Sequence, residues 1–238
     1  AQSPARIAGW ECAGEIPTLL ETVRASGASV LLGLSGSAGA FDASIARAMA
    51  ANVARPMIFP LSNPTDSAEA LPEDLYRWTE GRAIVATGSP FEPVLFEGVE
   101  HPVGQGNNAF IFPGLGFGAI LTEARKITDG LVLEAAYALT DYTAERYLEQ
   151  GLIYPPIADL REASVRVTAR VLRRAVEEGV AGREGLPETL EQAESFVRER
   201  FWHPRYLPVV RGYIPPIRKP ESDLPQGQGA KKPVWDGG

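Results

Sequence analysis

Three short runs, Val30–Leu34, Met57–Leu61 and Ala83–Thr87, are rich in β-forming residues and apolar at nearly every position. A strand that is apolar on both faces must be covered on both, which a parallel sheet with crossover helices achieves and a half-solvated antiparallel sheet does not. Between the first two runs, Ile45, Met49 and Val53 recur every four residues behind Asp42, a good N-cap, so this segment predicts an amphipathic helix and a βαβ unit. Between the second and third, Asp66 and Glu69 have the spacing of a capping box. Ala68–Leu71 with Leu75, Tyr76 and Trp78 supplies a second crossover, interrupted at Pro72.

After Thr87 the chain turns to loop chemistry, with Gly88, Pro90, Pro93, Gly98, Pro102, Gly104 and Gly106 close together. Helical patterns resume over Gly116–Arg125, Asp129–Tyr142 and Asp159–Glu178, the last stopped by Gly179. Pro187 at a first-turn position, followed by Leu190, Ala193, Val197 and Phe201, predicts one more helix. From Pro215 onward, Pro, Gly, Gln and Lys read as a tail without a core. The expected class is α/β: a Rossmann-like parallel sheet over residues 1–145, the C-terminal portion of such a domain, then a helical segment over 146–214 and an extended tail over 215–238. No internal repeat is present.

Composition narrows the function classes. With 23 Lys+Arg against 30 Asp+Glu the formal net charge is −7, a poor match to a phosphate backbone, so no nucleic-acid partner is expected. A single cysteine, Cys12, excludes an intramolecular disulfide and any zinc site built from several cysteines, and fits a cytoplasmic setting. The longest apolar stretch, Ala109–Leu121, is shorter than the roughly 20 residues of a membrane-spanning helix and is broken by Pro113, Gly114, Gly116 and Gly118, so no membrane span is expected. The first residues lack an initiating Met and carry Arg6, Glu11 and Glu15, which interrupt any signal-peptide core; the chain is expected to begin inside a longer protein.

Three turns stand where parallel sheets bind ligands, at the carboxyl ends of strands. Gly33-Leu34-Ser35-Gly36-Ser37-Ala38-Gly39 does not match G-x-G-x-x-G, and Asp42 at the following N-cap would repel a phosphate on that helix dipole. A ribose or a nicotinamide amide suits its hydroxyls and bare backbone better; a tight turn needing glycine for its dihedrals is the alternative. Leu61-Ser62-Asn63-Pro64-Thr65 offers an amide that can hold a carboxylate or carboxamide without a change of charge, or is simple turn chemistry. Gly104-Gln105-Gly106-Asn107-Asn108 places two amides among glycines, close to a small polar ligand or serving left-handed backbone positions.

A general base is harder to find. His101 and His203 each precede proline, lie far apart in sequence and have no ligand spacing around them. Lys126, Lys219, Lys231 and Lys232 lie in a charged helix or the tail, and Glu73-Asp74 and Glu177-Glu178 read as solvated helix faces. Ser35, Ser37, Ser62 and Ser89 have no histidine nearby in sequence to activate them. No metal site is legible.

RPMIFPLSNPT (Arg55–Thr65), WTEGRAIVATGSPFEPV (Trp78–Val94) and GQGNNAFIFPGLGFGAI (Gly104–Ile120) together resemble the C-terminal, NAD-binding half of the malic enzymes. The resemblance extends from VLLGLSGSAGAF (Val30–Phe41) through GLIYPP (Gly151–Pro156) and the helix after Asp159 to FWHPRYLP (Phe201–Pro208). It implies oxidative decarboxylation of malate to pyruvate with NAD or NADP and a divalent Mg or Mn. It implies substrate contacts from Asn63, Asn107 and Asn108, and cofactor contacts from Ser35, Gly36, Gly39, Asn63 and Asn107. The family's catalytic Tyr and Lys, acidic metal ligands and G-x-G-x-x-G loop precede the matched segments. The resemblance therefore implies a C-terminal part of such an enzyme, inactive by itself, with the missing N-terminal part as a partner and assembly as a homo-oligomer. A non-catalytic nucleotide-binding or assembly module that kept the fold is the alternative.

Overall fold

The computed structural model describes residue 7, residues 9–10, 12–204 and 206. The expected tail from Pro215 lies outside the described residues. Ala1–Phe201 groups as one compact unit.

The chain enters through helix α1 (Leu19–Ser26), capped by Thr18 and Glu21 in a reciprocal capping box. This S/T-x-x-E signal is legible in the sequence. Strand β1 (Val30–Gly33) follows, then α2 (Ala43–Asn52), β2 (Met57–Pro60), α3 (Pro72–Trp78) and β3 (Ile84–Thr87). All three runs expected to be strands are strands, and Asp42 caps α2 by accepting from the N–H groups of Ser44 and Ile45 at 2.8 and 3.0 Å. The sheet order is β1-β2-β3-β6, with β6 at Gly104–Gln105, parallel throughout, with Leu31 opposite Ile58 and Met57 opposite Ile84.

Four local expectations are corrected. Asp66 and Glu69 form no capping box; Thr65–Ser67 is a 3-10 turn without a side-chain cap, and Glu69 reaches elsewhere. Pro72 starts α3 rather than interrupting it, because the first turn needs no N–H from that residue. The long loop after Thr87 contains an antiparallel hairpin, β4 (Val94–Phe96) and β5 (Val99–His101), and then β6 (Gly104–Gln105) extends the sheet. Finally, β1 is covered on one face only: Leu31 packs in the core and Gly33 is buried, while Val30 and Leu32 are 45% and 55% exposed, because no core residue of the described chain packs on that face.

Helix α4 (Phe112–Leu121) starts four residues earlier than the Gly116–Arg125 pattern suggested, with Pro113 in its first turn. Helices α5 (Asp129–Arg146), α6 (Leu160–Glu177) and α7 (Leu190–Arg200) complete the described fold. Gly179, at φ 65°, follows α6 as expected, whereas α7 begins at the Thr189 cap rather than at Pro187. Helix α6 packs against α4, α5 and α7. It buries Val167 and Val171 with Phe110, Leu131 and Ala135 on one side, and Val165 and Leu172 with Ala193 and Val197 on the other. A separate core of Leu31, Ile45, Met49, Ile58, Leu75 and Val85 holds α1, α2 and α3 against the sheet. Among the described residues no helix is long and apolar enough to cross a membrane.

Candidate functional site

The carboxyl ends of the four parallel strands bring the three turns expected from the sequence to one edge. The last ladder bond between β1 and β2 runs from the Leu61 N–H to the Gly33 carbonyl at 2.9 Å. Beyond it, the Gly36 N–H donates to Ser62 Oγ at 2.9 Å. Asn63 Oδ1 accepts from Ser89 Oγ at 2.7 Å, joining the ends of β2 and β3. On the far side, Gln105 Nε2 donates to the Gly88 carbonyl at 3.0 Å and the Gly106 N–H to the Thr87 carbonyl at 2.8 Å. Gly88 is required here by space alone: a Cβ would lie 2.1 Å from the Leu61 carbonyl oxygen.

Beneath this edge sits a residue that sequence reasoning assigned to a helix cap. Glu69 is fully buried, and its Oε1 accepts from the Ser35 N–H (2.8 Å), Ser35 Oγ (2.8 Å) and Ser62 Oγ (2.6 Å). Its Oε2 accepts a longer bond from the Ser62 N–H at 3.4 Å. The carboxylate lies against the end of β1, where a Cβ on Gly33 would come within 2.5 Å of Glu69 Cδ. Burial pushes this carboxyl up, and the hydrogen bonds from Ser62 and Ser35 outweigh it, holding Glu69 below the ordinary carboxylate range. The legible signal was an isolated acid between Ala68 and Ala70; spacing alone could not say which donors it meets.

Three successive N–H groups of the Ser35–Gly39 turn are therefore spent internally. The Ser35 N–H goes to Glu69, the Gly36 N–H to Ser62 Oγ, and the Ser37 N–H to Ser35 Oγ at 3.2 Å. Successive free N–H groups are what make such a turn an anion-binding concavity, and here one N–H meets a protein carboxylate and the next two meet hydroxyl oxygens. Asp42 stands ionised at the next helix start, kept low by the Ser44 hydroxyl and the Ile45 N–H. The turn accordingly suits a neutral or cationic ligand group better than an anionic one. Ser35 Oγ both donates and accepts within the protein, whereas Ser37 Oγ has no hydrogen-bond partner among the described residues.

Asn107 Oδ1 accepts from the Ala109 N–H at 2.9 Å, a local bond that caps the 3-10 turn Asn108–Phe110. Its amide nitrogen, the side chain of exposed Asn108 and Asn63 Nδ2 have no hydrogen-bond partners among the described residues. No hydrogen bond joins Asn63 to Asn107 or Asn108. His101 lies away from this edge: it ends β5, stacks on Tyr76 with ring centroids 4.4 Å apart, and lines a cavity of about 530 Å³ with Arg55 and Ala83 at the amino end of the sheet. Burial pushes the Tyr76 hydroxyl there up to about 12. No three His, Cys, Asp or Glu side chains come together among the described residues, so these residues by themselves do not fit a divalent cation.

Residues 1–176 match the family described as malic enzyme, NAD binding domain. The chain is 42% identical over 207 residues to an NAD-dependent malic enzyme of Edwardsiella ictaluri, covering 87% of this chain and 35% of that protein. It is 44% identical over 191 residues to NAD-dependent malic enzyme 3 of Bacillus subtilis, covering 80% of this chain and 33% of that protein. Among solved structures, the malic enzyme of Entamoeba histolytica superposes with a TM-score of 0.62 at 28% identity, over 78% of this chain and 34% of its own. The chain thus spans about a third of the length of the curated relatives it matches.

Proposed function

The chain belongs to the malic enzyme family, and on that premise we propose that it is the C-terminal, NAD-binding part of an enzyme that oxidatively decarboxylates malate to pyruvate and CO₂ while reducing NAD or NADP. The observation that carries this reading is the meeting of the Ser35–Gly39, Ser62–Asn63 and Gly106–Asn108 turns at one edge of a parallel sheet, inside the residues the family model matches. In this reading Asn63 Nδ2, Asn107 Nδ2 and the Asn108 amide donate to the carboxylates of malate. Amide donors suit this task because they hold an anion without a proton to lose. Ser35, Gly36 and Gly39 form the wall against which the nicotinamide end of the cofactor lies, with Asn63 and Asn107 at its margin. Oxidation and decarboxylation need a proton acceptor for the substrate hydroxyl and a cation to stabilise the enolate left when CO₂ departs. Those groups, with Mg or Mn, come from the N-terminal part of the same enzyme. This chain's contribution is to bind and orient.

The division into a sheet domain over 1–145, a helical segment over 146–214 and a tail over 215–238 belongs to the same proposal, as do assembly into a homo-oligomer and a cytoplasmic location. β1 has no partner on its outer edge among the described residues, and Leu32 and the following Leu34 are exposed, which supports further packing here from the N-terminal part. The expected outcome is that the purified 238-residue chain with Mn²⁺ and NAD forms no NADH from malate, whereas the polypeptide extended to the full length of its relatives does. An extended protein without malate turnover would favour the non-catalytic module instead.

A further inference from the structure

The turns after β1 and β2 are held together by one buried carboxylate. Past the Leu61–Gly33 ladder bond, every hydrogen bond linking the two turns among the described residues uses either Glu69 or Ser62 Oγ. The Glu69 backbone joins the same assembly, since its carbonyl accepts from the Phe41 N–H at 2.9 Å just beyond the Ser35–Gly39 turn. A buried carboxylate is costly unless its oxygens are satisfied, and here four donors converge on it. Gly33 leaves room for it, because any side chain at that position would occupy the space of the carboxyl group.

We propose that Glu69 is a positioning residue of this site: its carboxylate sets the separation between the Ser35–Gly39 turn and the turn carrying Asn63, and with it the reach from cofactor to substrate. The proposal rests on the reading given above. Glu69 itself touches neither ligand, being fully buried under the turns. Its ionised state is supported by its hydrogen bonds, which hold the carboxyl below its ordinary range.

Two substitutions separate positioning from simple support. Glu69→Gln keeps an Oε1 acceptor where three of the four bonds converge and gives up only the longest, whereas Glu69→Ala removes all four. In the full-length enzyme, at a temperature where each variant is folded, Glu69→Ala is expected to lower kcat for malate oxidation about ten- to a hundredfold, as a displacement of about 1 Å does. Glu69→Gln is expected to recover kcat to within about threefold of wild type, since only ground geometry must be restored. In the 238-residue chain, amide exchange at Ser35 and Gly36 is expected to quicken in the Ala variant and not in the Gln variant. A folded Glu69→Ala enzyme with kcat intact, or a Gln variant as impaired as the Ala variant, overturns the proposal. Should Glu69→Ala fail to fold, Ser62→Ala removes two of the struts and is expected to lower kcat in the same direction to a smaller degree; unchanged kcat there overturns it. A wild-type enzyme without malate turnover overturns the malic enzyme reading instead. The clasp is then decided by exchange alone, with faster Ser35 and Gly36 exchange in Glu69→Ala supporting it and unchanged exchange overturning it.

Discussion

Asn63 has half of its amide committed and half free. Its oxygen accepts from Ser89 Oγ at 2.7 Å, while Nδ2 has no partner among the described residues. Substitutions therefore separate fold from function. Asn63→Asp keeps an acceptor for Ser89, loses the donor and, in the proposed reading, adds a charge facing an anionic substrate. It is expected to lower kcat/KM for malate by roughly ten- to a hundredfold, with the melting temperature nearly unchanged. Asn63→Ala is expected to lower kcat/KM comparably and also to lower stability by about 1 kcal/mol, because buried Ser89 loses its acceptor. Steady-state kinetics and thermal unfolding of the two variants check this, and unchanged kinetics in both would leave Asn63 a turn residue. The residue type and its place at a strand end were legible in the sequence. Which half of the amide is free was not, because the answer lies with Ser89, 26 residues away.

Helix α4 shows what element-scale packing does with residues that look like breakers. Gly114 and Gly118 lie against Val167 and Val171 of α6, with a Cβ at either position only 2.6 Å from the valine Cγ1. Both pairs share a four-residue spacing, so one ridge of α6 runs along a groove of α4 made by absent side chains. Gly118→Ala gains about 1 kcal/mol of helix propensity but overpacks by about 1–3 kcal/mol, so net destabilisation is expected. Gly116→Ala, with nothing within 4 Å of its Cβ, is expected to stabilise the 238-residue chain by about 0.5–1 kcal/mol. Urea titration of the two variants checks the opposite signs. The junction of α5 and α6 carries a second device: Tyr147 and Tyr142 donate their hydroxyls to Asp159, the latter at 2.7 Å, and hold its carboxyl below the ordinary range. A carboxyl depressed on folding contributes stability that is present above its unfolded value, near pH 4, and is lost as pH falls through its folded value. Asp159→Asn is expected to lower stability at pH 7 and to flatten its fall below about pH 4, as read from urea midpoints across that range.

On the scale of the whole molecule, β1 ends the sheet and leaves one face uncovered. Leu32 projects from β1 with 55% of its surface exposed, and the chain spans about a third of its relatives. Leu32→Asp is accordingly expected to change the stability of the 238-residue chain by less than about 0.5 kcal/mol. In the full-length enzyme, where covering this leucine would be worth about 1.5–3 kcal/mol, the same change is expected to lower stability by at least that much. Denaturant unfolding of both forms decides it; equal effects would argue that this face of β1 stays uncovered. The sequence by itself determined the three parallel strands, the Asp42 cap, the helices that follow and the family resemblance, because apolar runs, cap residues and short motifs act over a few neighbouring residues. Only the tertiary structure decided that Glu69 clasps two turns rather than capping a helix, that the glycine-rich segment before β6 holds a hairpin, and that the glycines of α4 receive α6. Each of these depends on groups far apart along the chain, as with Ser35 and Glu69, 34 positions apart, where hydrogen bonding and close packing are set by the fold and leave no periodicity to read.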